Sequence, residues 1–162
     1  MARAERIFVG LGANLGNAAA TLRAVLTPLS ALPQTSLVAA SALYCSPAID
    51  ADGPDYVNAV AELRSGLEPE ALLQQLLALE RRFGRERSYR HAPRTLDLDL
   101  LLHGQRRIAS PALTLPHPRL HQRAFVLAPL SELAPDWRLA NGLSVAETLA
   151  ALPDQGVERL AE

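Results

Sequence analysis

The sequence predicts an α+β domain whose strands and helices follow one another in the order β-α-β-β-α-β. Segments in which apolar and polar residues alternate are separated by segments in which apolar residues recur every three or four positions. Proline, glycine and other turn residues lie between these segments. The 162 residues also match the size of one domain, so we expect the chain 1–162 to form a single folding unit.

The first helix is predicted from a cap followed by an apolar stripe. Residues 7–9 form a short apolar segment that predicts a strand, and the glycines at 10 and 12 behind it predict a turn. Asn17 is a good helix cap because its side-chain oxygen can accept a hydrogen bond from a free backbone N–H group. One face of the helix that follows carries the apolar residues Leu22, Val25, Leu26 and Leu29.

Two strands are predicted next, over residues 36–45 and 56–64, because side chains alternate between the faces of a strand. In the second strand one face is apolar and consists of Val57, Ala59, Ala61 and Leu63. The other face is mixed and consists of Tyr56, Asn58, Val60 and Glu62.

The second half of the chain repeats the helix-strand pattern. Pro69 favours the first turn of a helix that runs to about Phe83, and residues 96–103 predict a strand. Residues 124–130 predict a strand or a short helix, and Ser144 with Glu147 forms a capping box for a last helix. The order as far as residue 103 is the split βαβ, or ferredoxin-like, arrangement, and the rest of the chain is a C-terminal addition.

All sixteen cationic side chains are arginine, and lysine does not occur. The absence of lysine excludes Schiff-base chemistry and the lysine of a phosphate-binding loop. The net charge of −1 argues against nucleic acid or membrane as a partner. One cysteine, Cys45, excludes an internal disulfide framework, and the N-terminus lacks the apolar core of a secretory signal, so we expect a cytoplasmic protein.

Positive charge is concentrated between residues 81 and 94, which hold six arginines and one acid. This window carries a charge of +5, so the remainder of the chain carries −6. Arg81 and Arg82 end a helix, where cations complement the helix dipole. The others precede a strand, in a loop that is either a solvated basic loop or an anion-binding site.

Two aspartates follow this arginine segment at positions i and i+2 of the predicted strand. Asp97 and Asp99 therefore project from the same face, with Cα atoms roughly 6.5–7 Å apart. Like charges on one face repel, so either a cationic group offsets the repulsion or the two acids simply face solvent on an exposed strand. Mg²⁺ typically takes one or two carboxylates together with waters and substrate phosphate oxygens. Arginines beside paired carboxylates predict phosphoryl-transfer chemistry.

Other candidate positions are weaker on their own. His117 lies between two prolines, which either hold its imidazole in one place or simply form a turn. Asn58 shares a strand face with Tyr56 and has donors and an acceptor suited to the edge of a heterocycle, although an asparagine hydrated by solvent has the same pattern. The glycines at 10, 12 and 16 do not complete a dinucleotide-binding motif and instead favour a tight turn or close packing of a neighbouring segment.

These segments together resemble one family, the 6-hydroxymethyl-7,8-dihydropterin pyrophosphokinases. The matching segments occur in the family's order between residue 7 and about residue 133, and they are FVGLGANLGN, SPAI with PDYVNAV, LERRFGRER, PRTLDLDLLLHG and LPHPRLHQRAFVLAPL. The resemblance implies a three-layer αβα sandwich with a ferredoxin-like core. It also implies the transfer of pyrophosphate from ATP to the hydroxymethyl oxygen of 6-hydroxymethyl-7,8-dihydropterin, with release of AMP, in folate biosynthesis.

The resemblance further implies roles for individual residues by their motif positions. The catalytic residues would be Arg85, Arg94, Asp97 and Asp99, and the two aspartates would also bind two Mg²⁺ ions. The pterin pocket would consist of Ser46, Pro47, Ile49, Tyr56, Asn58 and Phe125. The ATP site would consist of Glu80, Arg87, Leu100, Thr114, His117 and Arg123. The implied partners are ATP and the pterin alcohol, bound by a monomer; association with other folate enzymes stays open.

Two other classes of function compete with this hypothesis. A small-molecule-sensing module would use the same fold without needing paired carboxylates. A nucleic-acid-binding domain would use the arginines, but seven aromatic residues and a net charge of −1 do not favour a stacking platform or a broad basic face. Release of AMP rather than ADP from MgATP and the pterin separates pyrophosphoryl transfer from an ordinary kinase, and no turnover would favour a binding module.

Overall fold

A computed structural model describes residues 5–14, 17–47, 55–83 and 96–160. The helices are α1 (Ala18–Ser30), α2 (Pro69–Arg82), α3 (Ala124–Leu133) and α4 (Val145–Ala151), with one 3₁₀ turn, Leu120–Gln122. The strands are β1 (Glu5–Ala13), β2 (Thr35–Ala40), β3 (Tyr44–Ser46), β4 (Tyr56–Ser65), β5 (Asp97–His103), β6 (Ile108–Ala109), β7 (Thr114–Leu115) and β8 (Glu158–Arg159).

The main sheet has the order β5-β1-β4-β3-β8, and β2 also pairs with β4, beyond the end of β3. Every strand pair among the described residues is antiparallel. Of the predicted α+β class, a mixture of helices with a mostly antiparallel sheet is confirmed. β1 lies between β4 and β5, so it connects the two strands that carry most of the polar residues singled out in the sequence.

The turn predicted at Gly10 and Gly12 is wrong, and Gly16 lies outside the described residues. β1 continues through Gly10 and Gly12 to Ala13, with pairing partners on both sides. Gly10 lies between Val60 and Asp99, and Gly12 lies between Asn58 and Asp97. Pairing on both sides outweighs the local tendency of glycine to end a strand.

The predicted strand over residues 36–45 is in fact two strands, β2 and β3. A register shift between Leu37 and Ala39 disturbs the pairing of β2 with β4, and β2 then ends at Ala40. Ser41 follows, where its Oγ accepts a hydrogen bond from the backbone N–H of Val60 at 3.0 Å. The interruption turns β3 into a separate short strand whose end, at Ser46, reaches the functional region described below.

Two apolar cores form on opposite faces of the sheet, as the alternation in β4 predicts. The first core joins α1 and α2 to the sheet and includes Ala59, Ala61 and Leu63, with Val57 packed against it. The second core includes Val60, on the other face of β4, and joins α3 and α4 to the sheet. β1 supplies both, since Ile7, Val9 and Leu11 belong to the first core and Phe8 belongs to the second.

The helix ends follow the predicted capping residues. Asn17 Oδ1 accepts a hydrogen bond from the N–H of Ala20 at 3.0 Å, and Ser144 with Glu147 forms the reciprocal capping box of α4. Pro69 starts α2, and Phe83 caps its C-terminus. Residues 124–130, for which both a strand and a helix were open, belong to α3. In the ranges that the structure describes, no helix combines the length and apolarity needed to cross a membrane.

Candidate functional site

A pocket of about 570 Å³ opens on the face of the sheet that packs against α3. Its floor is the backbone of β1 at Gly10 and Gly12, which have no side chains to fill the space between β4 and β5. A Cβ atom on Gly12 would lie 3.5 Å from Asn58 Oδ1, inside this space. That distance is an ordinary van der Waals contact, so the glycine is not required by packing and instead leaves this part of the pocket open.

The strand order places two chemically different groups on either side of this floor. We call Asp97 and Asp99, on β5, the carboxylate end, and we call Ser46, Tyr56 and Asn58, on β3 and β4, the amide end. One strand, β1, separates β5 from β4, so the two ends are about 10 Å apart, twice the spacing between neighbouring strands. A ligand with two chemically distinct parts can therefore contact both ends at once.

At the carboxylate end, Asp97 is half-buried and Asp99 is exposed, and both line the pocket. Leu98, between them, points to the opposite face and belongs to the first core. Its backbone N–H donates a 2.7 Å hydrogen bond to the buried carboxylate of Glu80 on α2. Glu80 therefore fixes the backbone from which the two pocket carboxylates project.

At the amide end, two buried polar side chains are bonded to each other. Asn58 Nδ2 donates a 2.7 Å hydrogen bond to Ser46 Oγ, and the two residues are only 4% and 5% exposed. Pro47, next in the chain, and Tyr56 complete this side of the pocket. A buried pair that is already hydrogen-bonded has its geometry fixed before any ligand binds.

α3 covers the pocket with a cation above an aromatic ring. The Arg123 guanidinium lies 5.4 Å from the centroid of the Phe125 ring, within the range of a cation–π interaction. Burial lowers the pKa of Arg123, the Asp99 carboxylate opposes this shift, and Arg119 adds to it. Arg123 keeps its charge at neutral pH, since even a perturbed guanidinium remains protonated in proteins.

His117 does not line the pocket, but it lies within electrostatic range of the pocket's charges. Burial lowers the pKa of His117, Asp99 opposes this shift in part, and Arg123 and Arg119 add to it. Its backbone N–H donates to Leu101 O at 3.0 Å, and its Nδ1 accepts from the Arg119 N–H at 3.2 Å. The imidazole is thus held beside β5, with Nε2 as the nitrogen left to carry the proton of the neutral ring.

The structure brings together eight of the sixteen residues singled out in the sequence. The residues that line the pocket are Ser46, Pro47, Tyr56, Asn58, Asp97, Asp99, Arg123 and Phe125. Four more are described but do not line it: His117 and Glu80, as above, the core residue Leu100, and Thr114, which is exposed on β7. The remaining four, Ile49, Arg85, Arg87 and Arg94, lie outside the described residues.

Sequence reasoning missed five polar or glycine positions in the lining. They are Gly10, Gly12, Arg119, Gln122 and Gln155. Glycines at i and i+2 of a strand were the available indication for the first two, because such glycines mark the close approach of another group. Nothing in the local sequence indicates Gln155, since it reaches the pocket only through the folding of the C-terminal segment.

The carboxylate end fits Mg²⁺ by its donor set. Within the described ranges, no group of three or more His, Cys, Asp or Glu side chains is arranged to hold a metal ion. Two carboxylates on one strand face, with an open pocket beside them, leave coordination positions for water and for ligand oxygens. Magnesium sites in nucleotide-using enzymes have this composition, whereas structural metal sites use a full set of protein ligands.

Comparisons with known proteins agree on one family. The model of the family 7,8-dihydro-6-hydroxymethylpterin-pyrophosphokinase (HPPK) matches residues 8–135. The chain is 48% identical over 157 residues to a 2-amino-4-hydroxy-6-hydroxymethyldihydropteridine pyrophosphokinase of Pseudomonas aeruginosa, covering 96% of this chain and 97% of that protein. The enzyme of the same name in Haemophilus influenzae is 41% identical over 154 residues, covering 94% and 96%.

A solved structure of an HPPK-DHPS protein in complex with substrates has the same fold, with a TM-score of 0.77. The match covers 98% of this chain and 47% of that one, so this chain spans about half the length of the larger protein. The sequence identity is 10%, and the likeness therefore concerns the fold alone.

Proposed function

The chain belongs to the 7,8-dihydro-6-hydroxymethylpterin-pyrophosphokinase family, and on that premise we propose that the pocket between α3 and the sheet is its active site. The chain is an ATP-dependent pyrophosphokinase that transfers a pyrophosphoryl group from ATP to a hydroxymethyldihydropterin in folate biosynthesis. One observation carries the assignment of the pocket. A single cavity joins a neutral, hydrogen-bonding end to an end with two carboxylates and an arginine.

The amide end binds the pterin in this proposal. A flat heterocycle with alternating donors and acceptors matches the amide of Asn58, which offers both. Phe125 stacks on the ring face, because aromatic pairs favour offset stacking and bury a large apolar area. Ser46, Pro47 and Tyr56 enclose the ring, and Ile49, outside the described residues, is predicted to join them.

The carboxylate end holds the triphosphate of ATP. Asp97 and Asp99 would bind two Mg²⁺ ions, which when bound neutralise phosphate charge and polarise the phosphoryl group. Arg123 offers a guanidinium fork to phosphate oxygens from above, and His117 adds a donor beside β5. Arg85, Arg87 and Arg94 are predicted to approach from the segment that precedes β5. Glu80, Leu100 and Thr114 stay a prediction for the adenine side.

The reaction follows from placing both substrates in this one cavity. The hydroxymethyl oxygen of the pterin attacks the β-phosphorus in line, and the bond between the β-phosphorus and the oxygen bridging to the α-phosphate breaks. AMP leaves with that oxygen, and the hydroxyl proton is lost to solvent or to a phosphate oxygen. Positioning and electrostatic stabilisation supply most of the rate in such transfers.

We also propose that residues 1–162 form a single ferredoxin-like domain, a three-layer αβα sandwich that acts as a monomer. The sheet order β5-β1-β4 with β2 and β3 beside β4, and the two cores on opposite faces, support this arrangement. In this scheme β2 and β3 together take the place of one strand of the βαββαβ core.

The products of a single incubation test the function. The protein is mixed with MgATP and 6-hydroxymethyl-7,8-dihydropterin, and the nucleotide products are separated by chromatography. We expect AMP in equal amount to the pterin diphosphate, and no AMP when the pterin is left out. ADP as the product would indicate transfer of one phosphoryl group only, and the absence of turnover would contradict the proposal.

A further inference from the structure

The side chain of Gln155 bonds to the backbone on both sides of Arg123. Its Oε1 accepts a hydrogen bond from the N–H of Ala124 at 2.9 Å, and its Nε2 donates one to the carbonyl oxygen of Gln122 at 3.0 Å. Both peptide planes that flank Arg123 are therefore held by one side chain. We propose that Gln155 is the positioning residue for Arg123 and so sets the affinity of the site for ATP, an inference that rests on the proposed function.

Arg123 needs such support because of its place in the fold. It precedes α3 with an extended backbone (φ −115°, ψ 106°), and its side chain makes no hydrogen bond to cap the helix. The first N–H groups of a helix have no partner within the helix. Gln155 satisfies one of them from elsewhere in the chain, which leaves the Arg123 side chain free to enter the pocket.

Gln155 is itself held in place by the segment around it. The N–H of Gly156 donates to Asp154 Oδ1 at 2.8 Å, and Gly156 has a positive φ of 77°. A Cβ atom on Gly156 would lie 3.1 Å from Pro47 Cγ, so the backbone here passes close to the wall of the amide end. β8 then pairs with β3, which carries Ser46. The same short segment thus contacts the backbone beside Arg123 on one side of the pocket and Pro47 and β3 on the other.

A fixed Arg123 backbone has a direct consequence for binding. An arginine side chain has many rotamers, and ordering them on binding costs free energy. Here the backbone is restrained by Gln155 and the guanidinium lies above the Phe125 ring, so part of that cost is met before ATP arrives. Gln155 lies beyond residues 8–135, the part of the chain that matches the family model, and this contribution therefore comes from the C-terminal addition.

The test compares Gln155→Met with wild type by calorimetric binding of the α,β-methylene analogue of ATP with Mg²⁺. Methionine keeps the length of the side chain but removes both hydrogen bonds. We expect the Kd for the analogue to rise about fivefold, the scale of one lost hydrogen bond, while the Kd for the pterin alone changes less than twofold. Gln74→Met, an exposed glutamine of α2, is the matched control and should leave both constants unchanged.

Coupling to Arg123 decides between positioning and simple stabilisation. In an Arg123→Ala background, Gln155→Met should have no further effect on the Kd for the analogue, because the guanidinium that Gln155 positions is absent. A lower Tm with an unchanged Kd, or a fivefold effect that persists without Arg123, would overturn the proposal. The binding measurement does not require turnover. If the wild type binds the analogue but makes no AMP, the proposed reaction is refuted. The role of Gln155 is still decided by the Kd values of Gln155→Met with and without Arg123.

Discussion

The two ends of the pocket differ in charge and in burial. At the amide end, Asn58 and Ser46 are almost fully buried and bonded to each other. At the carboxylate end, Asp97 and Asp99 carry like charges on one strand face, and Asp99 is exposed. Substitutions at the amide end should therefore reduce both stability and pterin binding, whereas substitutions at the carboxylate end should reduce activity much more than stability.

The largest effect is expected from removing either charge of the carboxylate end. Asp97→Asn and Asp99→Asn keep the shape of the side chain but weaken magnesium binding, so we expect kcat/KM to fall by about 100-fold to 1,000-fold. The Tm should change little, because removing Asp99 relieves its repulsion of Asp97 but also removes its attraction to Arg123 and His117. Asp136→Asn, at an exposed aspartate, is the control. Near-normal turnover of both variants at saturating Mg²⁺ would contradict the two-carboxylate proposal.

The next effect concerns Arg94, which lies outside the described residues and is predicted to act together with the carboxylate end. Arg94→Lys keeps the positive charge but loses the planar fork that binds phosphate at two points, so we expect kcat/KM to fall about tenfold or more. Arg107→Lys, at an exposed arginine after β5, should be unchanged and serves as the matched control. Steady-state kinetics with MgATP as the varied substrate makes the measurement, and equal rates for Arg94→Lys and wild type would show that this segment is merely basic.

At the amide end, Ser46→Ala leaves the buried Asn58 amide without its acceptor. We expect the free energy of unfolding to fall by about 1–3 kcal/mol, and the KM for the pterin to rise about fivefold to tenfold. Ser65→Ala is a close control, because Ser65 is also buried on β4 and its hydroxyl bonds to Thr35 at 2.7 Å, far from the pocket.

Ser65→Ala should lower stability to a similar extent with no change in the KM for the pterin. Denaturant unfolding and steady-state kinetics on the same preparations separate the two effects. If Ser46→Ala behaves like Ser65→Ala in both measurements, the amide end is part of the fold and not of the pterin site.

The smallest effect tests a contact between β3, which carries Ser46 of the amide end, and α3. Tyr44 on β3 donates a hydrogen bond to Glu132 on α3. Burial, with this bond and the nearby negative charge, raises the pKa of Tyr44 to about 12 from its usual 10. The folded state therefore keeps a proton that the unfolded chain loses above pH 10, so the stability that this group contributes is complete below pH 10 and declines between pH 10 and 12.

Comparison of wild type with Tyr44→Phe isolates this contribution. The difference in unfolding free energy should be about 1–3 kcal/mol at pH 9 and should shrink toward pH 12. Because the chain has no lysine, no side-chain ammonium group titrates across this interval. A difference that stays constant with pH would show that the Tyr44 proton is not linked to folding.

Much of this site was predictable because its information is local. Alternation alone assigns Tyr56, Asn58 and Val60 to one face of β4, and the spacing of Asp97 and Asp99 places both carboxylates on one face of β5. The caps at Asn17 and Ser144 also follow from neighbouring residues only. In each case the residues involved are within a few positions of one another, so the period of a strand or a helix determines their relation.

Only the tertiary structure decided the features that depend on distant partners. Gly10 and Gly12 have the local pattern of a turn, yet strands on both sides keep them extended and make them the pocket floor. Gln155 is 31 residues from Ala124, and no pattern links the two. The sequence by itself determined which side chains share a face and which chemistry they carry. Folding determined which faces meet, because those contacts depend on pairing and packing between segments that are remote along the chain.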